Sequence, residues 1–560
     1  PTTSGSERKD LVFEDFHRDS YDGWYVTGDA FGERPSVAGD LRLVLEGRSP
    51  RLVTVPAGLA HSGLDSDRRV GVIRSRTFTI ENRFIHTLVA GRGGKINVVV
   101  DGFEKIRDPI YGGLTITVNH GDEPRWLTQD VGMWLGHTAY LEIADGAIVD
   151  FRGATTHIED GHGYIAVDEI RMSNRPAPVM SPPKSGGELD LGAVVGALRS
   201  ARSNLADRLT AALEKARTVE ASLPDPTLAL SIADGTGVNE RIHIRGSHNN
   251  LGEVVPRRFL EVLGGSDPPT STPAAGSGRL ELAQRMVNPS DNPLLPRVLV
   301  NRIWKHLFGE GIVKSTDDFG AMGRKPSHPD LLDWLAAEFI ARGWSIKEMQ
   351  RLMVTSSTYR MTSVPNEVAE RLDPPNTYLH RMNVRRLEAE AIRDTLLSVS
   401  GRLEPTLYGP SVPVYLSRFM DGRGRPGRSG PLDGDGRRSI YLNVRRNFLH
   451  PMFLAFDAPV PFSTMGRRNV SNVPAQALTL MNDPMVAGQA RLWAERVVAG
   501  PGRSARARLD TLYMIAFGRP PTEQEALASL AFLDGQDQTL LAWADLCHVL
   551  INIKEFIFVD

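Results

Sequence analysis

Three acid–base-capable side chains, Asp317, Asp318 and His328, share one breaker-rich stretch, GEGIVKSTDDFGAMGRKPSHP. A carboxylate or an imidazole there could transfer a proton near neutral pH. The same half of the chain carries dense guanidinium groups, Arg386 in RRLEAEAIRD and the pair Arg445–Arg446 in LNVRRN. Arginine holds carboxylate, sulfate or phosphate through a planar fork of donors. These residue types describe a cleft in which arginines hold an anionic substrate while His328 or a carboxylate moves a proton. They also describe an alternative in which the charges pair with one another and lock helices together. Asp317 and Asp318 are adjacent, which lets their side chains diverge, whereas a glycosidase pair must face a common bond.

Helices must position these groups. Val298, Leu299, Ile303 and Leu307 recur at helical spacing and predict a helix over Leu295 to Phe308. Leu331, Leu332, Leu335 and Phe339 predict a second over Pro329 to Arg342, with Ser327 as N-cap and Gly343 as its stop. A third follows over Ile346 to Ser356. Further on, RRLEAEAIRDTLLSVSG reads as a helix in which Arg386 and Glu390, and Glu390 and Asp394, stand four apart. The run RFMDGRGRPGRSGPLDGDGRR reads as a flexible loop leading into an extended segment.

The motifs VNRIWKHLFGEGIV, DDFG, SHPDLLDWLA, GWSIKEMQRLMVTSSTYR, RRSIYLNVRRN and PAQALTLMND carry a resemblance. The chain from about Leu280 to its end resembles the planctomycete-type C-terminal domain of unknown function that accompanies planctomycete cytochrome c domains. The resemblance implies a mainly helical fold, a periplasmic or cell-surface location and a c-type cytochrome as possible partner or subunit. It supplies no mechanism. The chain has no CxxCH, so it attaches no haem covalently. Any haem belongs to a partner or a removed segment.

Residues 11–173 alternate apolar and polar positions over short runs such as GVIRSRTFTI, KINVVVDG and YIAVDEIRM, with turn residues between them. This pattern predicts an antiparallel, jelly-roll-like β-sandwich. The runs FEDF, YDGWYVTGDAFG and GHGYIAVDEI resemble the accessory sandwich of levanase-type glycosidases and, more broadly, galactose-binding-like modules. That resemblance implies complex carbohydrate as a ligand, or a packing role. Trp126 and Tyr164 could stack on sugar rings, and Trp24 and Trp134 either do the same or fill the core. Glu14, Asp15, Asp168 and Glu169 stand where the first and last strands of such a sandwich meet, and could hold calcium.

Residues 174–280 read as a connector, with a Pro/Gly/Ser linker, an alanine-rich amphipathic helix or helical hairpin, and short strands. The expected architecture is therefore a multidomain α+β chain, with the sandwich first and a mainly helical domain over 281–560. At 560 residues the chain exceeds one core. A formal charge of −2 offers no field for steering nucleic acid. One cysteine, Cys547, permits no internal disulfide. No run of about 20 apolar residues suggests a membrane span. The opening PTTSGSERKD lacks Met, as expected for a processed or truncated start. Catalytic motifs such as GxSxG, HExxH and the phosphate-binding P-loop are absent. Three readings stay open: an enzyme or enzyme subunit acting on carbohydrate, a non-catalytic binding or scaffold subunit, and a docking partner for a cytochrome.

Overall fold

The structure is a computed structural model that describes residues 10–45, 49–102, 104–105, 108–109, 113–145, 148–149, 155–156, 163–176, 186–224, 232, 235–247, 250–263, 277–462, 464–501 and 504–559. The chain divides into two compact units, Pro1–Arg285 and Met286–Asp560.

The first unit is built on a curled antiparallel sheet. Its strands run in the order Leu11–Glu14, Tyr164–Ser173, Phe84–Val100, Thr138–Asp145, Gly71–Ser75 and Trp24–Gly28. The Thr115–Asp130 strand pairs with Phe84–Val100 as well. A smaller sheet joins Glu188–Asp190, Arg51–Thr54 and Leu41–Val44. The core of the larger sheet is mostly aliphatic, including Ile73, Val89, Ile96, Val98, Leu141, Ile143, Ile165 and Val167. Trp24 and Trp134 pack against it.

The sequence reads RFIHTLVAG and KINVVVDG as two strands, whereas the structure merges them into Phe84–Val100. That strand pairs with Tyr164–Ser173 over its first half and with Thr138–Asp145 over its second. The change of neighbour falls at the glycines of GRGGK. Gly91 has φ 148°, and a Cβ there would lie 2.3 Å from the Tyr164 carbonyl oxygen, so only glycine allows this corner. Beyond the sandwich, the alanine-rich segment forms two helices, Leu191–Ala201 and Ser203–Ser222, broken at Arg202. Ser66 and Arg68 of the sandwich bind Glu220 near the end of the second.

In the second unit, the helices Leu294–Phe308, Pro329–Ala341 and Ile346–Val354 enclose one core around Val300, Trp304, Phe308, Leu335, Phe339 and Met349. The second helix ends as the sequence predicts. Gly343 adopts φ 64°, its N–H donates to Ile340, and Trp344 N–H donates to Phe339. Trp344 then packs edge-on against Phe339 at 5.2 Å, the hydrophobic contact that accompanies this type of helix end. The start differs: His328, not Ser327, is the N-cap residue, and the Ser327 hydroxyl goes to the Ile312 carbonyl instead.

A larger core gathers Ala389–Ser400, Pro484–Val498, Ala505–Phe517, Glu523–Asp534 and Leu540–Ile551. Cys547 lies fully inside it, and burial pushes its thiol pKa up, so it acts as a small apolar residue. No helix among the described residues is long and apolar enough to cross a membrane.

Candidate functional site

A cavity of about 800 Å³ opens within the helical unit. Its first wall is the C-terminal end of the Leu294–Phe308 helix, where Lys305 and His306 sit in the last turn. Cations are favoured there by the helix dipole. The helix end is fixed from outside, because Asn383 donates to the Phe308 carbonyl and Arg385 donates to the His306 carbonyl over 2.6 Å.

The second wall is Arg385–Arg386, which the sequence assigns to the start of a helix. In the structure this pair is extended and pairs with Phe558–Val559 near the end of the chain, and Leu387 N–H donates to the Ile557 carbonyl. The helix therefore starts only at Ala389. The expected Arg386–Glu390 pair cannot form across that break. Arg386 turns to Asp457 over 2.7 Å, and Glu390 instead accepts two hydrogen bonds from Arg468 over 2.6 and 3.0 Å.

The third wall is the loop Arg467–Asn472. Two anchors hold it. Thr316 donates to the Gly466 carbonyl over 2.9 Å, and Ser471 gives both its N–H and its hydroxyl to Asp457. Gln476 adds a bond to the Ser471 carbonyl. Arg386 also donates to that carbonyl, over 2.6 Å, so one buried guanidinium ties the second wall to the third.

The charges within this cavity are uneven. Its carboxylates are engaged: Glu310 with Lys314 at 2.7 Å, Glu388 with Arg468 at 3.4 Å, and Asp457 with Arg386 at 2.7 Å. Lys305 and Arg467 meet no carboxylate within 4.0 Å among the described residues. Burial lowers the Lys305 pKa; Glu388 opposes this, and Arg468, Arg302 and Arg467 add to it. His306 is lowered in the same way, by burial first and then by Lys305, Arg302 and Arg468 against Glu388. The cavity is thus a partly dehydrated cationic cleft with space for a ligand.

The sequence-derived residues are distributed across this picture. Arg386 lines the cleft but is consumed as a buried tie. Asp317 backs onto the third wall, where a Cβ on Gly466 would lie 2.3 Å from the Asp317 Cβ; its neighbour Thr316 and the next loop residue Arg467 both line the cavity. Asp318 caps its own turn, accepting from Gly320 N–H over 2.9 Å. His328 meets the Ser327 hydroxyl and the Tyr378 ring, away from the lining. Arg445 and Arg446 are exposed and also lie outside the lining. The residues that sequence reasoning missed are Lys305, His306 and Arg467. Their signal was the basic last turn of a helix, WKHLFG, and a second arginine pair, GRRN.

The sandwich residues are also redistributed. Tyr164 is buried, 3% exposed, and is stacked between His61 at 5.1 Å and the Arg42 guanidinium at 3.9 Å, with its hydroxyl donated to Asp122. It cannot serve as an open platform. Burial, followed by Arg42, pushes His61 down to about 3, so this stack holds a neutral imidazole. Trp126 is half-buried on Thr115–Asp130, opposite Leu88.

Leu11–Glu14 does pair with Tyr164–Ser173, as a calcium site at the strand junction requires. The Glu14 carboxylate, however, accepts from the Phe16 N–H over 3.0 Å and from the Trp24 indole over 2.9 Å, and meets Arg18 at 3.2 Å. Asp15 caps the following backbone at His17, and Glu169 pairs with Arg171. Asp168 is buried. No group of three or more metal-ligating side chains stands together among the described residues.

A second cavity, about 890 Å³, lies in loops of the first unit. Its two arginines are matched internally, Arg34 to Asp40 at 3.0 Å and Arg69 to Asp65 at 3.1 Å, leaving Asp19, Asp29 and Glu33 in excess. The two cavities therefore have opposite electrostatic character.

Residues 278–533 match the family PSD1: Protein of unknown function (DUF1553). The cationic cleft belongs largely to this PSD1 region, with Phe558 and Val559 contributed from beyond it. No curated protein sequence matches the chain. Among solved structures, a mutant of CBM29-2, a family 29 carbohydrate-binding module, aligns at 12% identity, covering 32% of this chain and 100% of its own, with a TM-score of 0.17. CBM29_1 from Piromyces equi aligns at 11% identity, covering 30% and 91%, with a TM-score of 0.17. The K2 cleaved adhesin domain of Lys-gingipain aligns at 14% identity, covering 30% and 99%, with a TM-score of 0.17.

Proposed function

We propose that the protein binds anionic complex carbohydrate, with the cleft of the helical unit as the seat for its charged groups. The observation that carries this reading is the pairing pattern. Lys305 and Arg467 have no carboxylate within 4.0 Å among the described residues, while the cleft carboxylates Glu310, Glu388 and Asp457 are each paired closely with a cation. A cation held partly out of water favours an anion more strongly than one in bulk solvent. Arginine adds directional donors that suit carboxylate and sulfate. A cavity of about 800 Å³ is wide enough for a few sugar residues.

A polynucleotide fits less well, because the chain carries a net charge of −2 and the cations sit in one cleft rather than along a face. A location outside the cytoplasm goes with the reading, since charged polysaccharides are found there. Calorimetric titration with polygalacturonate, a sulfated galactan and neutral dextran tests it. The expected result is heat of binding with the first two and none with dextran. Equal binding to dextran would contradict the reading.

A further inference from the structure

Anion binding leaves one group in the cleft without a role, the imidazole of His306, and leaves open why Lys305 stands beside it. Both line the cavity from the last turn of the Leu294–Phe308 helix. We propose that the cleft cleaves uronate-containing polysaccharide by β-elimination, with His306 as base, Lys305 as acid and Arg467 neutralising the uronate carboxylate. This rests on the anionic-carbohydrate reading and adds a reaction to it.

Two routes break a glycosidic bond in an acidic polysaccharide without redox chemistry, and the cleft is furnished for one of them. Hydrolysis by a glycosidase pair requires one carboxyl held protonated near neutral pH and a second carboxylate facing it. The lining carboxylates Glu310, Glu388 and Asp457 are each set against a cation. For Asp457, burial raises the pKa, but hydrogen bonds from Ser471 and Arg386 outweigh it and hold the carboxyl below its ordinary value. Asp457 is therefore not held protonated as a donor, and no two of the lining carboxylates are free of a cation.

Elimination has other needs. The carboxylate at C5 must be neutralised so that the adjacent C–H becomes acidic, the base must be unprotonated, and the leaving oxygen must receive a proton. Arg467 is exposed on the loop wall and meets no carboxylate among the described residues. The charged groups around His306 are Lys305 and Arg302 on its own helix, Glu388 at the start of the Ala389–Ser400 helix, and Arg468 on the loop. Arg385 donates to its carbonyl. Cations outnumber carboxylates there, which disfavours the protonated ring, and His306 is exposed at the cleft wall, where its imidazole can accept a proton from a bound ligand. Lys305 carries a lowered pKa from the same surroundings, which makes its ammonium a better acid.

The step balances without an added reactant. His306 takes the proton from C5, and the C–H electron pair becomes the C4–C5 double bond. The C4–O bond breaks with its pair on oxygen, and the Lys305 ammonium protonates that oxygen. The products are a 4,5-unsaturated uronate end and a new hydroxyl end. Exchange with solvent returns the proton from His306 and restores the Lys305 ammonium.

The full chain incubated with polygalacturonate provides the test, followed by the ultraviolet absorbance of the unsaturated end and by calorimetric binding. The wild type should release unsaturated ends. His306→Gln should slow this by about 100-fold, the scale of one general base, while polymer binding and melting temperature hold. The rate should rise with pH as His306 loses its proton and fall again as Lys305 does. Binding with no unsaturated product, or with saturated product only, would overturn the elimination and leave the binding reading intact. Absence of binding would overturn both. An unslowed His306→Gln enzyme would remove His306 as the base.

Discussion

The Arg386 guanidinium donates to the Asp457 carboxylate over 2.7 Å and to the Ser471 carbonyl over 2.6 Å, with only 5% of the arginine side chain exposed. One buried cation thereby joins the extended segment before a helix to a loop 85 positions later. Breaking a buried pair leaves the surviving charge without compensation, at a cost of about 3–5 kcal/mol. Arg386→Ala and Asp457→Asn should therefore each lower the melting temperature of the helical unit sharply, and the double variant should lose less than the sum. Additive losses in that double-mutant cycle would show that the two residues do not act as a pair.

Arg393 makes a second tie of this kind. It is fully buried, and donates to the carbonyls of Asp433 over 2.6 Å and Arg437 over 2.9 Å. Gly434 approaches so closely that a Cβ there would lie 2.6 Å from a guanidinium nitrogen. The glycine- and arginine-rich run is thus anchored at its end, where the sequence suggests only a flexible loop. Arg393→Met should open residues 421–438 to trypsin well below the melting temperature. Unchanged cleavage there would mean that the loop is held by other contacts.

How far the sequence reaches depends on whether the decisive partner is near or far along the chain. Helical periodicity and Gly343 depend on local rules, and the three helices around Trp304 and Phe339 form as those rules predict. The alternating strands of the sandwich were legible for the same reason. The start of RRLEAEAIRD was not, because Arg385 and Arg386 pair with Phe558–Val559, far along the chain. Tyr164 reads as a sugar platform in isolation, but Arg42, His61 and Asp122 converge on it only through the fold. The cleft suffered similarly. Its cations come from three separate segments, and nothing local distinguishes Lys305 or Arg467 from ordinary surface charge.

Tyr164 provides a direct test of the corrected sandwich. Tyr164→Ala should destabilise the first unit by about 3–5 kcal/mol, as for other buried aromatic truncations. Tyr164→Phe keeps the ring and loses only the bond to Asp122, so it should cost about 1 kcal/mol. Denaturant unfolding of both variants checks the difference. Little loss in Tyr164→Ala would restore the residue as a candidate for ligand contact.

Acid should loosen the C-terminal helices through Arg519, which bridges Glu525 at 2.9 Å and Glu555 at 2.7 Å. The hydrogen bond from Arg519 is the main cause that brings the Glu525 carboxyl down to about 2, against burial and with help from Thr522. A depressed carboxyl stabilises the fold above its unfolded value and loses that contribution as pH falls through its folded one. Stability should therefore decline between about pH 4.5 and pH 2, and Arg519→Ala should flatten that decline. The groups are partly exposed, so the effect is modest and weaker in high salt. An identical pH profile in Arg519→Ala would exclude the bridge as its source.

The anionic-carbohydrate reading rests on Lys305 and Arg467, so their charges are the most direct point to probe. The measurement is the affinity of the full chain for polygalacturonate at fixed ionic strength, compared with the Lys305→Gln/Arg467→Gln double variant. The account predicts that the variant folds normally, loses at least about tenfold in affinity, the equivalent of 1.4 kcal/mol, and shows a shallower dependence on salt. Unchanged affinity with an unchanged salt dependence would contradict it.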